Sequence, residues 1–74
     1  MRELKGFIEV TCLADGLRVA MRVDCVVSVY EVGEENDDGA IRPPHTAIQL
    51  SDGRIIRVTN KYQDVLRMIW ESEL

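Results

Sequence analysis

The sequence is poor in the residues that brace small proteins. Its two cysteines, Cys12 and Cys25, are not in CxxC spacing, and neither has a histidine near it, the single histidine being His45. That argues against a zinc site, and the two thiols read as small apolar packing groups in strands. Aromatic residues make up 5% of the chain, only Phe7, Tyr30, Tyr62 and Trp70, so a stacking platform for bases has little to be built from. No apolar run is long enough to span a bilayer, and Met1-Arg2-Glu3-Leu4-Lys5 carries charges of both signs where a signal peptide would be hydrophobic. A cytoplasmic location without membrane insertion is the resulting expectation. Nine basic residues against thirteen acidic ones give a net charge of −4, which repels a phosphate backbone and disfavours nucleic acid as a partner.

With 74 residues, a single domain over 1–74 is expected. A chain of this size buries only about 60% of its unfolded surface, so the core is thin. Disulfides, metals and self-association are the usual supplements for such a core. With no sign of the first two, a homo-oligomer is expected.

What is present is alternation. Ile8, Val10 and Cys12 alternate with Glu9 and Thr11 over Phe7 to Leu13, the period-two pattern of a half-buried strand. Asp15-Gly16 supplies a hairpin turn, after which Leu17, Val19, Met21 and Val23 alternate with Arg18 and Arg22. A valine-rich third strand runs from Cys25 to Val32. Thr46 to Leu50, the turn Ser51-Asp52-Gly53 and Arg54 to Val58 repeat the hairpin pattern. Between them, Gly33 to His45 turns acidic and ends at Pro43-Pro44, which predicts a mobile loop over about 33–45. Asn60 and Gln63 are spaced as a capping box, and Tyr62, Val65, Leu66, Ile69 and Trp70 fall on one helical stripe from about Lys61 to Glu73. The expected fold is therefore α+β: a curved, antiparallel sheet of about five strands (two hairpins plus one strand) with a single C-terminal amphipathic helix.

No set of residues carries chemistry. Glu34, Asn36, Asp38, Gly39 and Ile41 fall at positions of a calcium loop, but it begins with glutamate, ends at His45 and is flanked by strands. His45 has no nucleophile beside it in sequence, and neither Ser28 nor Ser51 sits in a nucleophile elbow. The chain is expected to be no enzyme, with no catalytic, cofactor or metal residues. One helix covers one sheet face, so some apolar residues must remain outside and mark a contact with an unidentified protein partner. Phe7, Tyr30 and Ile55 are the apolar interaction candidates. Arg18, Arg22, Arg54 and Arg57 are the charged ones, and they also carry the alternative reading, a nucleic-acid-binding regulator or mobile-element accessory.

The run Ile8-Glu9-Val10-Thr11-Cys12-Leu13, the Asp-Gly hairpin, Val23 to Val29, Thr46 to Gly53, and Val58 leading into Tyr62 and Val65 together resemble the FlbD/SwrD family of small flagellar and swarming-motility proteins. The resemblance spans about Phe7 to Ile69, and the segment from Gly33 to His45 is an insertion relative to it. It implies a small, cytoplasmic, non-enzymatic accessory protein with a motility-related role, and it transfers no site residues.

Overall fold

A computed structural model of the chain describes residues 6–37 and 39–72. The charged N-terminal segment 1–5, Asp38 and the expected helix end at Glu73 lie outside the described residues. The elements are β1 (Phe7–Thr11), β2 (Arg18–Arg22), a 3₁₀ turn (Val23–Cys25), β3 (Val26–Val32), β4 (Glu35–Asp37), β5 (Ala40–Arg42), β6 (His45–Leu50), β7 (Ile55–Val58) and α1 (Tyr62–Ser72). The fold is α+β, with antiparallel ladders and one C-terminal helix. No helix among the described residues is long and apolar enough to cross a membrane.

The ladders are β1–β2, β3–β6–β7 and the short β4–β5. Cys12 and Val58 form an antiparallel bridge that joins the first two. Around it, Leu13 N–H donates to Arg57 O at 2.8 Å and Thr59 N–H to Thr11 O at 2.9 Å. This seam extends the sheet to the order β2–β1–β7–β6–β3, which accounts for the five strands read from the sequence.

Paired residues share a face, and the faces alternate along each strand. In β1–β2 the pairs Ile8/Met21 and Val10/Val19 turn inward. In the larger sheet Val29, Ile48 and Ile56 form an inward row. These side chains meet Leu50, Val58 and Val65 in one core, with Met68 and Ile69 packed against it. Core burial, not propensity alone, therefore fixes the register, since a one-residue slip would exchange Ile48 for Ala47 or Gln49.

Both Asp-Gly turns form. Gly16 and Gly53 have φ of +73° and +93°, left-handed values that a side chain resists. In each turn the preceding aspartate accepts a backbone N–H two residues on, Asp15 from Leu17 and Asp52 from Arg54, both at 3.0 Å. The bond from the Arg54 backbone, with the Arg54 guanidinium beside it, holds the exposed Asp52 carboxyl below its ordinary range. The loops differ in length: Cys12 N–H reaches Leu17 O across residues 13–16, whereas Leu50 N–H reaches Arg54 O across residues 51–53. The repeated Asp-Gly hairpin pattern thus takes two different hairpin geometries.

Three local expectations are corrected. The acidic segment carries a ladder, pairing Glu35 with Arg42, Asn36 with Ile41 and Asp37 with Ala40, where composition predicts a loop without pairing. His45 is not a loop residue; it is the buried first residue of β6. The helix is rotated from its expected setting, with Val65 fully buried while Trp70 is 65% and Leu66 41% exposed. Met68 takes the inward place that the stripe reading gave to those two.

Candidate interaction surface

The register places all the interaction candidates but Arg54 on the sheet face turned away from α1. Phe7 and Arg22 form one outward pair and Arg18 belongs to another, while Ile55 and Arg57 alternate with the inward Ile56 on β7. Tyr30 lies outward beside Ala47, which is in turn beside Arg57. Phe7, Tyr30 and Ile55 are each about two-fifths to one-half exposed, at 39%, 40% and 48%. Arg54 stands apart, at the β6–β7 turn. The other six share a side but are spread over several strands, and they form no single compact patch by themselves.

The arginines are largely neutralised where they stand. Arg18 lies 3.4 Å from Glu9, Arg22 is 2.7 Å from Asp24 and Arg54 is 2.6 Å from Asp52, all well exposed. Exposed pairs of this kind contribute little stability, but they do cancel local potential.

Arg57 differs, because three elements converge on it. Its Nη1 donates to His45 Nε2 at 2.8 Å, and the other imidazole nitrogen, Nδ1, donates to Pro43 O at 2.9 Å. With Nδ1 carrying the proton, Nε2 is free to accept, so the geometry fixes the neutral tautomer and both ring nitrogens are occupied. On the other side of Arg57, Glu35 Oε1 lies 3.5 Å from its Nη1 and 3.8 Å from Arg42 Nη1. That oxygen is enclosed and has no hydrogen bond, so it is held by two flanking charges alone. Two guanidinium groups face one carboxylate, which leaves positive charge in excess.

This cluster holds the β4–β5 hairpin against β7 and opens a groove of about 770 Å³ between them. Leu13, Ile41, Pro43, Ile55 and Ile56 supply apolar walls, with Arg42 and Arg57 also lining it. Ile41 is 67% exposed, the most exposed of the large hydrophobic residues among those described. Sequence reasoning found Ile55 and Arg57 but missed Glu35, Ile41, Arg42 and the structural part of His45. The available signal was Asp38-Gly39, a third Asp-Gly pair, flanked symmetrically by Glu35 and Arg42.

Cys12 and Cys25 are free and half-buried. Among the described residues no three His, Cys, Asp or Glu side chains are close enough together to hold a metal ion. Comparison with family models, with curated proteins and with solved structures finds no match for this chain.

Proposed function

We propose that the chain is a small, non-enzymatic interaction module that self-associates and docks a protein partner in the groove between the β4–β5 hairpin and β7. The observation that carries this reading is the pairing of exposed isoleucine walls, Ile41 and Ile55, with two arginines that share a single carboxylate. Such a groove suits an extended partner segment with an aliphatic or aromatic side chain next to aspartate or glutamate: the apolar group fills the walls and the carboxylate meets Arg42 and Arg57. The resemblance to FlbD/SwrD proteins supports a cytoplasmic accessory role connected with motility. Nucleic-acid binding is the weaker reading, because Arg18, Arg22 and Arg54 each already face a carboxylate.

Selection from a random peptide display library tests the groove. Recovered sequences should combine an apolar residue with an adjacent acid, and their affinity should fall at least about 10-fold, about 1.4 kcal/mol, in Ile55→Asp. Arg57→Gln should weaken binding and flatten its salt dependence. Peptides with no shared pattern, or binding indifferent to both substitutions, would overturn the assignment.

A further inference from the structure

The helix leaves an apolar ridge uncovered. Val65, Met68 and Ile69 are turned to the core, yet Leu66 and Trp70, four residues apart and so stacked along one flank, are both exposed, Leu66 by about two-fifths and Trp70 by about two-thirds. Trp70 is the only tryptophan of the chain. Next around the helix, away from the core, come Arg67 and Glu71, both exposed and again four apart. Among the described residues neither has an ion-pair partner, although Arg18, Arg22, Arg42, Arg54 and Arg57 all do.

We propose that a second copy of this chain covers the ridge, with the two α1 helices antiparallel about a two-fold axis that crosses the Leu66/Trp70 flank between the levels of residues 68 and 69. The proposal rests on the self-association part of the reading above and supplies its surface, leaving the groove free. In this arrangement Leu66 of one copy faces Trp70 of the other, twice over. Antiparallel helices bring like flanks together, so Arg67 meets Glu71 of the second copy and Glu71 meets its Arg67. The charges that have no ion-pair partner among the described residues of one chain become complementary between two, and a two-fold interface has to be self-complementary in this way. Reversing one partner breaks the match, whereas reversing both restores it. Two helices about 16 Å long make a small contact, which places the dimer among weak, concentration-dependent associations.

Sedimentation and tryptophan emission, followed from micromolar to millimolar protein, test this directly, since Trp70 is the only indole reporter. The native chain should move from monomer to dimer, with emission shifting to the blue as Trp70 loses water. Arg67→Glu alone and Glu71→Arg alone should each weaken dimerisation about 10-fold or more, by placing like charges in contact. The double exchange within one chain, or an equimolar mixture of the two single variants, should recover it. Melting curves taken at concentrations where the parent is monomeric, and peptide binding in the groove, should stay as in the parent, which separates failure here from failure of the docking reading. A chain that stays monomeric at every concentration, or a dimer indifferent to all these exchanges, overturns the proposal.

Discussion

Asn60 ties together regions far apart in the chain with two of its own atoms. Its side-chain oxygen accepts the Thr11 N–H at 2.7 Å, and its backbone carbonyl accepts the buried Thr46 hydroxyl at 2.7 Å. The spacing of Asn60 and Gln63 suggests a helix cap, but a short polar side chain takes whichever donor the fold presents. The donor here is 49 positions away and invisible to local reading. Asn60→Ala, which strands the Thr11 amide, should cost about 1–3 kcal/mol in urea unfolding. Asn60→Asp keeps an acceptor and should lose much less. Equal losses in the two variants would show that the acceptor is not what matters. By contrast, Asp15 and Asp52 were legible, because an Asp-Gly turn is satisfied within its own few residues.

For the elements, alternation located four of the sheet strands, a valine-rich run located the other, and periodicity located the helix. What periodicity left open was the helix's rotation. Tyr62, Val65, Leu66, Met68, Ile69 and Trp70 make an apolar sector wider than the sheet can cover, and the choice of which part turns inward depends on the surface opposite. Val65→Asp places a charge in the core and should cost at least about 3 kcal/mol, enough to unfold a domain of this size. Leu66→Asp sits on the open flank and should melt near the parent. Circular dichroism melts decide between the two settings, and the opposite ranking would return the helix to the orientation read from the stripe. The β4–β5 ladder was hidden for another reason: with three residues per strand there is no repeat to read, and it is held by Glu35 between Arg42 and Arg57, the second of which belongs to another element.

Across the whole molecule, the fold class could be read from the sequence but the strand order could not. Hairpins pair neighbours and announce themselves in their turns, whereas β1 meets β7 only through the Cys12–Val58 seam. Joining segments so distant requires closing most of the chain into a loop before any contact repays the lost entropy. Refolding should therefore be slow for a chain of this length, in the range of about milliseconds to seconds rather than the microseconds of small helical proteins. Stopped-flow tryptophan fluorescence measures it, and microsecond refolding would mean that the seam is not part of the rate-limiting step.

The seam also bears on how the protein is made. The first hairpin leaves the ribosome with Ile8, Val10 and Met21 already patterned for burial, but the strand and helix that cover them carry Val58 and Val65 and are translated more than thirty residues later. Until then the nascent chain holds an oily strip open to its surroundings, so its maturation has to wait for synthesis to pass the helix, and a chaperone would find its binding surface on the β1–β2 hairpin.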